Sequence, residues 1–269
     1  MKKALTFLVM LGLTTGLFAQ QDEAWYKKKK KAFFVGGGGS IWTLVHRTSN
    51  YTCAGTGSVG TFTCSVTVPA ITPGNLTVVV SALFVGAQIS VPPSFGSVTG
   101  DASLVHCPSQ LATENYNGAG NSYEAVDCAY APVSTGGGTT FTWGWQLNSA
   151  SGSYDIDIEV WEVHKLSGSA AYETCGAGGA TACVATSTSC APCTGPTPTV
   201  TGTDFVVVAN ANENLCTTLA SPFNVSPSPD VDSSNVFGIF GWSLSQTSGV
   251  PAVYTCTAGG AAMLAAAFK

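Results

Sequence analysis

"ITPGNLTVVVSALF" (Ile71–Phe84) places a Pro-Gly turn ahead of an apolar run centred on Val78, Val79 and Val80. β-Branched side chains are stiff at χ1 and pack well on a pleated surface, so a Val triplet favours strand over helix. A short apolar run bounded by turn residues reads as an inner strand of a sheet. The device recurs in "VTGTDFVVVANA" (Val200–Ala211), where a Thr-Gly turn precedes Val206, Val207 and Val208. The two stretches read as equivalent inner strands of two halves of the fold. Their spacing is far longer than the roughly 20–50 residues of a solenoid repeat.

Outward from these two strands the pattern continues. "TFTCSVTV" (Thr61–Val68) alternates polar and apolar residues. "TTFTWGWQL" (Thr139–Leu147), "YDIDIEVWEV" (Tyr154–Val163), "VFGIFGWSL" (Val236–Leu244) and "AAMLAAAF" (Ala261–Phe268) are further runs of strand length. Between them lie "TPGN", "VPPS", "NGAGN", "STGGG", "SASGS" and "SPSPD", all of them turn chemistry. No window carries a 3.6-residue period with caps. Many short strands joined by Gly/Pro turns imply an all-β fold, an antiparallel β-sandwich of jelly-roll or immunoglobulin-like kind.

The chain of 269 residues is 45% hydrophobic and only 9% charged, enough apolar content for a sizeable core. Disorder would need the reverse balance. Residues 1–19, with Lys2 and Lys3 ahead of an apolar run, have the layout of a secretory signal peptide cut after Ala19. No later stretch reaches the ~18 apolar residues of a spanning helix. Residues 20–40 form a tail in which the run Lys27–Lys31 repels itself and "GGGGS" adds flexibility. Residues 41–269 read as a single β-sandwich domain. From Ala32 onward three basic residues stand against thirteen acids, a net of −10. Such a body excludes nucleic acid, whose phosphates need clustered Lys and Arg.

Ten cysteines, all beyond the leader, agree with export to an oxidising compartment, secreted or at the cell surface. A turn at Ser58–Val59 would set Cys53 opposite Cys64, and one at Asn117–Gly118 would set Cys107 opposite Cys128. Cys216 and Cys256 pair by elimination. The remaining four lie in a Cys-rich loop insertion, about residues 174–200, and read as two local staples, Cys175–Cys183 and Cys190–Cys193. Spacing alone leaves other connectivities among these four open. A zinc knuckle would need a second close Cys or His pair, and a redox dithiol would need a helix N-terminus at "CAPC". Neither is present, so no metal is expected there.

Two constellations carry chemistry. In "SYDIDIEVWEVH" (Ser153–His164) the acids Asp155, Asp157 and Glu159 share one face of a strand, while Ile156, Ile158 and Val160 share the other. Trp161 then takes the parity of the acids and Glu162 that of the apolar residues, which a bulge near Val160–Trp161 would correct. The bland reading of the acids is the solvated face of an edge strand; the alternative is a calcium site with carboxylate ligands. The second constellation is aromatic: Trp143 and Trp145 share a face in "FTWGW" and would stack on a sugar ring. His46, His106 and His164 stand singly, and no nucleophile elbow, Walker loop or H-E-x-x-H occurs.

The five residues Asp155–Glu159 resemble the E-I-D-I-E motif of laminarinase- and carrageenase-type jelly-roll glycosidases. That resemblance implies Asp155 as nucleophile, Asp157 as its support and Glu159 as acid/base, although the family has Glu at the first position. Over residues 61–269 the chain also resembles a broad set of uncharacterised secreted bacterial Ser/Thr/Gly-rich β-sandwich proteins. The likeness rests on "PGNLTVVVSA", "GAGNSYEAV", "VWEVHKLSG", "TGTDFVVVANA" and "MLAAAFK". It implies fold and exported location, but no activity. The sequence therefore favours a secreted or cell-surface module with a binding, adhesive or structural role over an enzyme. A glycan or other cell-surface component is the expected partner and no cofactor is expected. The alternative is a glycoside hydrolase acting on β-glucan-like polysaccharide through Asp155 and Glu159.

Overall fold

The computed structural model describes residues 41–56, 59–86, 91–107, 112–116, 122–148, 153–173, 183–212, 216–225, 239–256 and 259–269. Residues 1–40, where a leader and a Lys/Gly-rich tail are expected, lie outside these residues, as do Cys175 and the turns expected at Ser58 and Asn117. Strands dominate the described residues, and none of them forms an α-helix. No helix there is long and apolar enough to cross a membrane.

The first half of the chain supplies β1 (Trp42–Thr56), β2 (Gly60–Thr67), β3 (Leu76–Gly86), β4 (Ser94–Thr99) and β5 (Val105–His106). It continues with β6 (Ala112–Tyr116), β7 (Ser122–Ala131), β8 (Thr140–Leu147) and β9 (Ser153–Lys165). The second half supplies β10 (Tyr172–Glu173), β11 (Val184–Ser187), β12 (Cys193–Thr194), β13 (Asp204–Asn212) and β14 (Cys216–Leu219). It ends with β15 (Asn224–Val225), β16 (Ile239–Gln246), β17 (Val253–Cys256) and β18 (Ala261–Phe268).

Each half builds one large and one small antiparallel sheet. In the first half β1-β9-β3-β7 form a sheet with β5 and β6 along the far side of β7, and β2-β8-β4 form a three-stranded sheet. In the second half β18-β13-β16-β15 form the large sheet, with β10 and β11 along β18, and β12-β17-β14 form the small one. The architecture is thus an antiparallel β-sandwich repeated: four layers, with the two large sheets inside and the two small sheets outside.

Three apolar interlayers hold the stack together. Val79, Leu83, Ile156, Ile158 and Val160 pack against Phe141, Trp143 and Trp145 of the first outer sheet. Val78, Val80, Ala82, Trp161 and Val163 pack against Phe205, Val207, Phe240, Leu264 and Phe268 of the second large sheet. Val206, Val208, Met263 and Ala265 pack against Tyr254 and the cysteines of the last outer sheet.

This layering explains two sequence patterns at once. β3 and β13 are the middle strands of the two inner sheets, so successive side chains enter different interlayers and both must be apolar. The Val triplets satisfy that demand: Val78, Val79, Val80, Val206, Val207 and Val208 are all fully buried. β2, in contrast, lies in an outer sheet and alternates, with Thr61, Thr63, Ser65 and Thr67 exposed and Cys64 and Val66 buried. A half-solvated antiparallel sheet takes this pattern.

Consecutive substitutions test the stack. Val79→Ala and Val80→Ala should each lower stability by about 2 kcal/mol or more, because each removes two buried methyl groups from a different interlayer. Thr63→Ala on the outer face should stay within about 0.5 kcal/mol. In a two-layer sandwich one of the two valines would be near neutral; urea denaturation separates the cases.

Candidate functional site

β9 carries the acids, and its neighbours fix where they point. It lies between β1 and β3, with an unbroken register against β3 from Leu76↔Val163 to Val85↔Tyr154. The bulge expected near Val160–Trp161 is absent on that side. Register shifts occur instead against β1, between Leu44 and His46 and between Asn50 and Cys53. Strict parity therefore holds along β9: Trp161 belongs with the acids, and Glu162 with Ile156, Ile158 and Val160.

The alternation of acid and Ile in β9 does not mark a solvated edge. Asp155 is 5% exposed, Asp157 2% and Glu159 0%. The expectation of a solvated edge strand is corrected here: β9 is an interior strand of an inner sheet, covered on both faces. The acids enter the interlayer between the two large sheets, alongside Trp161, and Glu124 of β7 is on the same face of its sheet, opposite Phe84.

Glu159 is held by β1. Tyr51 Oη donates to Glu159 Oε2 at 2.6 Å, and Arg47 Nε lies 3.4 Å from Oε1. Arg47 in turn sits 4.6 Å over the Trp242 ring, and Tyr51 stacks on Phe240 at 5.9 Å. A carboxylate at this depth is tolerable only with such partners, because an isolated ion would carry a large desolvation cost. Arg47 was the missed residue. Its signal was legible, since it is the one basic residue between Lys31 and Lys165.

Glu162, on the opposite face of β9, ties down the turn that precedes β3. Its Oε1 accepts from the Thr72 N–H at 2.9 Å and from the Asn75 side-chain amide, and its Oε2 lies 3.0 Å from His46 Nδ1. His164 Nδ1 lies 2.9 Å from Asn75 Oδ1. His106 Nε2 meets Asp127 Oδ2 at 2.6 Å, with the imidazole stacked on Phe95 at 4.1 Å. Burial pushes the Asp127 carboxyl up, against the pull of His106 and the Cys128 N–H. All three histidines, which the sequence presented as isolated, are partnered by polar side chains.

Asp101 is the strongest polar knot. It accepts from Ser103 N–H (2.8 Å) and Oγ (2.5 Å), from Thr135 Oγ1 (3.0 Å), and from Ser134 Oγ and the Gly136 N–H. Burial raises its carboxyl, but the hydrogen bonds from Ser103, Ser134 and Thr135 outweigh that and hold it well below the usual carboxylate range. Gly136 completes the knot at φ +81°, and a Cβ there would strike the Pro73 ring.

The tryptophans offered as a sugar platform are inside. Trp143 and Trp145 are both 0% exposed, and the Trp145 indole donates to Ser81 Oγ of β3 at 2.9 Å. They face the first large sheet rather than solvent, so the expectation of a binding face at Trp143 and Trp145 is corrected. Chain parity shows that they share a face but cannot say which face is covered.

Four cystines are present among the described residues: Cys53–Cys64, Cys107–Cys128, Cys190–Cys193 and Cys216–Cys256. Cys107 and Cys128 extend the β5–β7 ladder, the Cys107 N–H donating to the Cys128 carbonyl at 2.9 Å. Cys216 faces Cys256 across β14–β17. Cys53 and Cys64 do not face each other in a hairpin ladder, because β1 pairs with β9 and β2 with β8. Their bridge joins an inner to an outer sheet. Cys183 is also disulfide-bonded; its expected partner Cys175 lies outside the described residues.

The arrangement assembles no open carboxylate pair. Asp155, Asp157 and Glu159 are all buried, so none of these carboxyls is open to a substrate in this structure. Among the described residues no group of three or more His, Cys, Asp or Glu is placed to hold a metal ion, the calcium alternative included. Comparison with protein-family models, curated proteins and solved structures returns no match for this chain.

Two outcomes follow for stability. Glu159→Ala removes the carboxyl that Arg47 and Tyr51 hold in the interlayer and should cost about 3 kcal/mol or more in urea denaturation. For Asp101 the folded pKa lies below the unfolded one, so the ionised carboxyl favours folding. Its contribution is complete above about pH 5 and fades as pH falls through the carboxylate range. Melting temperatures from pH 2 to pH 6 should fall with acid, and less steeply in Asp101→Asn.

Proposed function

We propose that the chain is an exported binding or adhesive module, secreted or held at the cell surface, in which the β-stack is a rigid frame for an uncharged, hydroxyl-rich face. The supporting observation is the solvent side of the β2-β8-β4 sheet. Thr61, Thr63, Ser65 and Thr67 of β2 are exposed there with Thr140 of β8 and Ser97 and Thr99 of β4. The register sets them in rows, Thr63–Gly144–Ser97 and Ser65–Thr142–Thr99 among them. Ser65 and Thr142 share a 2.7 Å hydrogen bond, and Thr61 Oγ1 donates to Gln146 at 2.8 Å.

Strand geometry spaces such hydroxyls about 4.8 Å across the sheet and about 6.8 Å along it. A regular, neutral array of donors and acceptors suits a hydroxyl-rich partner such as a neutral polysaccharide, and offers nothing to an ion. Export is supported by the leader-like N-terminus and by the cystines, which persist in oxidising compartments. Hydrolysis through Asp155 and Glu159 is less well supported, because both carboxyls must reach a sugar ring and both are buried.

Co-sedimentation with insoluble neutral polysaccharides and with whole cells tests this reading. Wild-type protein should be retained, and the double variant Thr63→Arg/Ser65→Arg released with its melting temperature unchanged. Equal retention of both proteins, or of neither, would count against it.

A further inference from the structure

The interlayer beneath the last outer sheet brings together two cystines that the sequence keeps apart. Cys190 Sγ lies 3.4 Å from Cys256 Sγ, so the Cys190–Cys193 and Cys216–Cys256 bridges touch through these two sulfurs. Cys190 and Cys216 are fully buried, and Cys193 and Cys256 are each 6% exposed. Each bridge thus has one partly accessible sulfur, but only attack at Cys193 releases the sulfur, Cys190 Sγ, that touches the other bridge.

A buried amide serves both sulfurs of the longer bridge. Asn210 of β13 is 0% exposed, and its Nδ2 lies 3.7 Å from both Cys216 Sγ and Cys256 Sγ. Its Oδ1 is buried and accepts no hydrogen bond among the described residues. An N–H aimed at a sulfur stabilises the thiolate that leaves when a disulfide is attacked, and exchange runs faster with a better leaving group.

We propose that Cys190, Cys193, Cys216 and Cys256 form one thiol–disulfide exchange unit, which takes an electron pair from an external dithiol and passes the break from the Cys190–Cys193 bridge to the Cys216–Cys256 bridge. The dithiol's first sulfur attacks Cys193 Sγ, the Cys190–Cys193 bond breaks, and Cys190 leaves as thiolate. Cys190 Sγ then attacks Cys256 Sγ, the Cys216–Cys256 bond breaks, and Cys216 leaves beside Asn210 and takes a proton. The dithiol's second sulfur displaces Cys193 from the mixed disulfide, and Cys193 takes the other proton. The dithiol ends as a disulfide, and the protein ends with one bridge, Cys190–Cys256, and two thiols, Cys193 and Cys216. This activity does not depend on the polysaccharide reading.

Limited reduction of the native protein with substoichiometric dithiothreitol tests it. The reaction is quenched with acid, the thiols are alkylated, and the bridges are mapped by mass spectrometry of unreduced peptides. The singly reduced protein should carry alkyl groups on Cys193 and Cys216 and a Cys190–Cys256 cross-link. Alkylation of Cys190 and Cys193 with Cys216–Cys256 intact would overturn the proposal. So would any other pattern, including loss of both bridges together or resistance until the protein unfolds. The measurement uses the wild-type chain, so no variant has to fold.

Discussion

Everything in this fold depends on burying two sheets on both faces. An ordinary sandwich asks each strand to hide every second side chain. Here β3, β13 and β18 hide nearly all of them, as does β9 from Asp155 to Val163, because a large sheet has another large sheet on one side and a small sheet on the other. The Val triplets of β3 and β13 meet the demand with stiff side chains of moderate volume. β18 meets it with alanines, relieved by Met263 and Leu264, where its two faces meet the cystine-lined interlayer and the aromatic one. Complete burial also forces every backbone polar group in these strands into ladders, which the continuous antiparallel pairing supplies.

β9 is the strand on which this constraint presses hardest. It brings four carboxyl groups into buried interlayers, three to one side and Glu162 to the other. For Glu159 and Glu162 the cost of that burial is offset by hydrogen bonds and a cation from β1 and by the turn before β3. The same contacts lock β1 and the Thr72–Asn75 turn to the centre of the fold. These chemistry-bearing side chains thus act as internal fasteners. Polar fastening recurs in the Asp101 knot, which joins the segment after β4 to the segment after β7.

Much of this was legible in the residues. Strand positions follow from apolar runs and Gly/Pro turns, and the echo of "NLTVVVSA" in "TDFVVVANA" marks the paired middle strands. The continuous apolar runs of β3 and β13 beside the alternating β2 also separate inner from outer layers. The setting of β9 was not legible. Alternation of Asp and Ile looks the same whether the acids meet water or a second sheet, since a two-residue period reports two different faces and not which of them is wet. Trp143 and Trp145 fail for the same reason. The contact between Cys190 and Cys256 was beyond local reading too, because two bridges met only when β12, β14 and β17 were brought together over β13.

The central claim is that β9 is sealed on both faces, and chemical labelling of its carboxyls measures that directly. Carbodiimide coupling of an amine to the folded protein, read by peptide mass spectrometry, should leave Asp155, Asp157 and Glu159 unmodified, while the same residues couple in the denatured chain. Modification of these three carboxyls in the folded protein would contradict the four-layer account.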